Sequence, residues 1–128
     1  MIVLKVEPEK APERIKISGD LESMQQVVGG IIQAIYPFDE PIALICNEEG
    51  KLDGLPLNRA LRDEDGKTYD LITGTFFLCG APPEEESFTS LTENQLEDFE
   101  ARFHTPELFL RLNGRLVSIP LVSSEQEQ

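Results

Sequence analysis

Few residues in this chain are suited to covalent chemistry. Nucleophilic catalysis requires a thiol or hydroxyl beside a base. His104 is the sole histidine, and it falls at the end of a helix-patterned segment, where it meets the carbonyl end of the helix dipole favourably. Cys46 and Cys79 lie in apolar runs, where a free cysteine behaves as a small hydrophobe. A Cys–His pair stays open as a reading, but one histidine and two separated cysteines do not supply the ligand spacing of a transition-metal site. The acidic turn Asp63–Lys67 fails the calcium-loop pattern: with Gly66 at position six, positions one and twelve are Leu61 and Ile72. No phosphate-binding glycine loop or dinucleotide fingerprint occurs, and Gly29-Gly30 follows a helix rather than opening one. No cofactor and no metal are therefore expected, and the reading leans away from an enzyme.

The densest polar cluster is Asn47-Glu48-Glu49-Gly50-Lys51, continuing to Asn58-Arg59. It places both charge signs and two glycines between apolar segments, and such loops can carry function on a rigid scaffold. Glu48, Glu49, Asn58 and Arg59 can bind a small polar ligand or act as acid and base. Arg59 and Arg62 can meet an anion through their guanidinium forks, and Lys51 adds a third cation. The competing reading is an ordered loop whose Asn and Glu side chains cap its own backbone.

These residues must be positioned by the elements around them. Met1–Glu7 and Arg14–Ser18 read as paired strands around a proline turn. Asp20 is an N-cap for a short helix with Leu21, Met24, Val27 and Val28 at helical spacing, and Gly29 stops it. Ile31–Tyr36 and Ile42–Cys46 read as strands. Leu52–Leu61 reads as a loop with one helical turn from Pro56. Asp70–Cys79 reads as one core strand with a bulge or close approach at Gly74. Gly80–Ser90 is a candidate linker. Thr92 and Gln95 form a capping box, Leu91 and Leu96 a hydrophobic staple, and Leu96, Phe99 and Phe103 share one helical face that ends before Pro106. Asn113-Gly114 turns Leu108–Leu112 back onto Arg115–Ile119 as a hairpin. Ser123–Gln128 is a polar tail, expected to be disordered.

The chain has 128 residues, with 24 Asp and Glu against 11 Lys and Arg, a net charge of −13. Such acidity disfavours non-specific binding to nucleic acid or anionic lipid. The imbalance is uneven: residues 50–62 carry +2 while 81–128 carry −7. No apolar run reaches the roughly 18 residues of a membrane span. The first residues lack a secretory signal pattern, and two cysteines make no disulfide framework, which together give a cytoplasmic reading.

The segments Val27-Val28-Gly29-Gly30, Cys46-Asn47-Glu48-Glu49-Gly50-Lys51, Gly54-Leu55-Pro56-Leu57-Asn58-Arg59-Ala60-Leu61 and Asp70-Leu71-Ile72-Thr73-Gly74-Thr75-Phe76 come in that order. Together they resemble a domain-of-unknown-function family of small proteins from Gram-positive bacteria, phages and conjugative elements. The resemblance covers about residues 2–110 and brings no catalytic residue with it. It implies an accessory protein of a mobile element.

The sequence thus predicts a single α+β domain over residues 1–122, with a mixed or mainly antiparallel sheet of about five to seven strands and two main helices. The favoured function is a non-enzymatic protein-interaction domain whose acidic surface suits a basic partner. The alternative is a domain for a small anionic ligand, or an enzyme, using the 47–62 loop. Direct nucleic-acid binding ranks below both, because no basic helix or stripe exists.

Overall fold

A computed structural model describes residues 1–121. The elements are β1 (Ile2–Val6), β2 (Glu13–Lys16), α1 (Leu21–Val28), β3 (Ile32–Ile35), β4 (Ile42–Asn47), β5 (Leu57–Arg62), β6 (Thr68–Thr73), β7 (Phe76–Gly80), α2 (Glu93–Arg102), β8 (Glu107–Leu112) and β9 (Arg115–Pro120). The α+β class holds, and every strand pair is antiparallel. The single sheet of five to seven strands does not. Among the described residues nine strands divide into a central sheet in the order β2-β1-β7-β4-β3 and two separate ribbons, β5-β6 and β8-β9. The polar tail Ser123–Gln128 lies outside the described residues.

Both faces of the central sheet are covered, which explains the unbroken apolar runs of β4 and β7. On one face α1 lays Met24 and Val28 against Val3, Ala43, Ile45, Phe77 and Cys79. On the other, Leu4, Val6, Leu44, Phe76 and Leu78 pack with Leu61 and Ile72 of the β5–β6 ribbon and with Leu96, Phe99 and Phe103 from α2. Local sequence grammar sets the helix ends. The Asp20 side chain accepts from the Ser23 N–H, and Gly29 closes α1 in the left-handed region at φ 79°. Thr92 and Gln95 make the reciprocal capping box of α2.

Two expectations change. The run Asp70–Cys79 is two strands in different sheets, broken at Gly74. That residue sits at φ 72° and donates its N–H to the Pro56 carbonyl at 2.7 Å. That positive φ favours glycine, and a Cβ there would also press on the Leu55 side chain, with Cδ1 at 2.8 Å. Of the segment Leu52–Leu61, read as a loop with a helical turn from Pro56, residues 52–56 are turn and loop, but Leu57 onward is the strand β5, paired with β6 across the Asp63–Lys67 turn. Asn58 and Arg59 occupy buried strand positions and so erase the apolar pattern by which a strand is recognised. The candidate linker is also tied down: Gly80 and Thr89 exchange backbone hydrogen bonds, and the Ile2 N–H donates to Ser90 Oγ.

Candidate functional site

The polar residues picked out by sequence separate into three groups, with Arg62 apart from all three. Asn47 turns inward. Its amide donates to the Val28 carbonyl at the end of α1, and its Oδ1 accepts from the Glu49 N–H at 2.8 Å. It therefore couples the loop after β4 to the helix, a self-capping role.

Asn58 and Arg59 form the second group and are 0% and 1% exposed. The Asn58 amide donates to the Val6 and Gly74 carbonyls, both at 2.8 Å. It thereby joins β1 of the central sheet to the β6–β7 break. Its Oδ1 accepts from Arg59 Nη1 at 2.8 Å. Arg59 Nη2 donates to the Lys10 carbonyl at 2.7 Å and the Phe103 carbonyl at 3.0 Å, while Nε has no partner. One guanidinium thus clamps the β1–β2 turn, β5 and the end of α2. Burial pushes its pKa down, and the nearby Glu107 charge opposes that shift. The fork is buried among these partners.

The third group faces outward. Glu48 and Glu49 are exposed, and Lys51 pairs with Asp70 at 3.1 Å. Glu48 and Lys51, with Asn47, line a cavity of about 210 Å³ between β3, β4 and β6 that also contains Cys46 and Gln33. Arg62 points elsewhere. It donates to Glu107 at 2.6 Å and to Ser118 at 3.1 Å, anchoring β8 and β9. Glu107, 8% exposed, also accepts from the Ala60 N–H and from Ser118. Burial works to raise the Glu107 pKa, but the bonds from Arg62, Ser118 and the Ala60 N–H outweigh it and hold the carboxyl below its ordinary range.

Both thiols are buried. Burial pushes Cys46 up, reinforced by the Asp70 charge, and pushes Cys79 up to about 12. Neither is a thiolate near neutral pH, so neither is primed as a nucleophile. Among the described residues, no three His, Cys, Asp or Glu side chains converge to hold a metal ion.

A second concavity was not foreseen from sequence. A cleft of about 850 Å³ lies between the 37–40 loop, the β5–β6 turn and the end of α2. Phe38, Tyr69 and Phe103 supply aromatic walls, and Asp39, Glu40, Asp63, Glu64 and Asp65 supply carboxylates. Its two arginines are already engaged. Arg62 serves Glu107, while Arg102 pairs with Glu40 and Asp98 and stacks over the Phe99 ring at 4.4 Å. Asp63–Lys67 reads as a solvated turn in isolation, and nothing in one-dimensional spacing places it beside Asp39 and Tyr69.

These features define an acidic α+β domain built on an antiparallel sheet, with a polar clamp inside and an acidic, aromatic-walled cleft outside. The chain belongs to the family described as Domain of unknown function (DUF3846), whose model matches residues 1–104. No curated protein and no solved structure matches the chain. The family match ends before β8, so the β8–β9 ribbon stands outside it.

Proposed function

We propose that this protein is a non-enzymatic interaction domain that takes a basic segment of a partner protein into the 37–40/β5–β6 cleft. The carrying observation is the charge state of that cleft. Its two arginines are held by Glu107 and by Glu40 with Asp98, and Asp39, Asp63, Glu64 and Asp65 have no cationic partner among the described residues. A Lys or Arg side chain entering there meets carboxylates and the exposed Tyr69 ring, which offers a cation–π contact. The net charge of −13 adds long-range attraction and speeds encounter at low salt. Two of the candidate ligand-binding residues, Asn58 and Arg59, are committed to backbone carbonyls. The family resemblance supports a setting in bacterial cytoplasm, as an accessory protein of a mobile element.

Fluorescence anisotropy with a labelled Arg/Lys-rich peptide tests this reading. Binding should weaken with salt and should drop about tenfold or more in an Asp39→Lys, Glu64→Lys variant. Equal binding by variant and wild type would place the basic partner elsewhere or remove it.

A second reading rests on the 210 Å³ cavity lined by Asn47, Glu48 and Lys51. A small polar ligand there would raise Tm in a metabolite screen. Lys51→Ala should abolish that rise.

A further inference from the structure

The central sheet has two edge strands, β2 and β3, and the two are finished differently. Edge strands are commonly guarded against further pairing by charge. β2 carries Glu13, Arg14 and Lys16, and the Arg14 guanidinium is tied to Glu93 and Glu100 of α2. β3 carries no charge, and the chain is uncharged from Ser23 to Phe38. Ile31 and Tyr36, which flank β3, are 52% and 62% exposed.

The register shows which backbone groups of β3 are open. The Glu48 N–H donates to the Ile31 carbonyl, and Gln33 and Ile35 lie opposite Cys46 and Leu44. Antiparallel bonding alternates along a strand, so Ile31, Gln33 and Ile35 turn their N–H and C=O toward β4. Ile32 and Ala34 turn theirs outward, and these groups have no backbone partner among the described residues. A row of donor and acceptor pairs two residues apart is matched by extended polypeptide. Beyond Ile35 the edge leads into the wall of the acidic cleft. The Tyr36 carbonyl shares a peptide bond with Pro37, which lines the cleft together with Phe38, Asp39 and Glu40.

We propose that the basic segment taken by the cleft binds in extended form, adding a further strand beside β3 and continuing past Ile35 to bring its Lys or Arg side chains to the cleft carboxylates. The proposal rests on the cleft reading and gives the partner a form: uncharged residues that pair backbone to backbone with Ile32 and Ala34, then cations that meet Asp39 and the turn Asp63-Glu64-Asp65. A second copy of this chain has an edge of its own to offer. It also brings a net charge of −13 toward an equal charge, so electrostatics favour the basic segment as occupant.

Two labelled peptides test the proposal with the full chain: Arg-Lys-Arg-Lys-Thr-Val-Thr-Val-Thr and the same residues in reverse order. With the tighter binder at saturation, the Ile32 and Ala34 amides should exchange hydrogen at least about tenfold more slowly. Gln33 and Ile35, already turned to β4, should change less. N-methylation of the Thr-Val half leaves every charge in place and should weaken binding about tenfold or more. Ala34→Pro removes an outward N–H that the sheet does not use, a change tolerated at an edge, and should weaken binding in the same way. If circular dichroism shows that this variant misfolds, the exchange and N-methylation results decide. Binding that falls in the Asp39→Lys, Glu64→Lys variant, yet ignores N-methylation and leaves Ile32 and Ala34 exchange unchanged, overturns strand addition and leaves the cleft reading standing. Binding by neither peptide, or binding indifferent to that double variant, overturns the cleft reading and the proposal with it. Protection of Ile32 and Ala34 that grows with protein concentration in the absence of peptide assigns the edge to a second copy and overturns the proposal.

Discussion

Replacing Arg59 by Met keeps side-chain bulk and removes the guanidinium. Asn58 Oδ1 and the Phe103 carbonyl then lose their donor in buried surroundings, and the Lys10 carbonyl loses its donor in a part-buried one. A buried acceptor left unpaired costs about 1–3 kcal/mol. The two buried acceptors bonded at 3.0 Å or closer set a cost of about 2–6 kcal/mol, and the longer 3.3 Å bond to the Asn58 carbonyl comes on top of it. Removing the ion also relieves its desolvation, which for a buried charge amounts to several kcal/mol and offsets part of the loss. The downward shift of the Arg59 pKa reports that same penalty. The net expectation is a destabilisation of about 2–4 kcal/mol, or a Tm lower by roughly 10 °C. Urea unfolding monitored by circular dichroism measures it. Arg59→Lys keeps the charge but cannot reach three acceptors with one ammonium, so it should recover less than half of the loss. A change below about 0.5 kcal/mol in Arg59→Met, with loss of binding to an anionic ligand, would refute the clamp and return Arg59 to the role of a ligand residue.

Two further outcomes follow from the same structure. The Glu107 carboxyl has a folded pKa below its ordinary 4.5, so its stabilisation is complete above that value and fades as pH falls through the folded pKa. Glu107→Gln should flatten this acid limb in a pH series of unfolding free energies, and equal acid slopes in the two proteins would contradict the assignment. Phe99 is fully buried, packs edge-on to Phe38 at 4.8 Å, and carries Arg102 over its ring. Phe99→Ala should cost about 3–5 kcal/mol in chemical denaturation, whereas a near-zero change would mean that α2 does not depend on this face.

Elements whose signals are local were legible from the chain. Asp20, Gly29 and the Thr92–Gln95 box set helix ends through bonds made within four residues, and Asn113-Gly114 closes β8–β9 in the same local way. The strand β5 was hidden because its two polar residues are satisfied by carbonyls 16 to 52 positions away. No short window contains those partners. Gly74 was visible as an irregularity, but the sheet to which each flanking segment belongs depends on Pro56 and Leu55. Within the 47–62 segment, residue types identified polar groups that matter without giving their direction. Asn47, Asn58 and Arg59 face inward, and Glu48, Glu49 and Lys51 face solvent. The cleft was hidden for the same reason as β5, since Asp39, Asp65 and Arg102 converge only through tertiary structure.

The Arg59 clamp also bears on the order in which the chain folds. Its bonds to Lys10 and Phe103 close loops of 49 and 44 residues, and contacts of such separation incur their loop-closure entropy before they give any return. Neither bond exists until the β1–β2 turn, β5 and the end of α2 are all in place. The expected kinetic role of Arg59 is that of a latch set after the barrier: in stopped-flow measurements Arg59→Met should leave the folding rate nearly unchanged and speed unfolding.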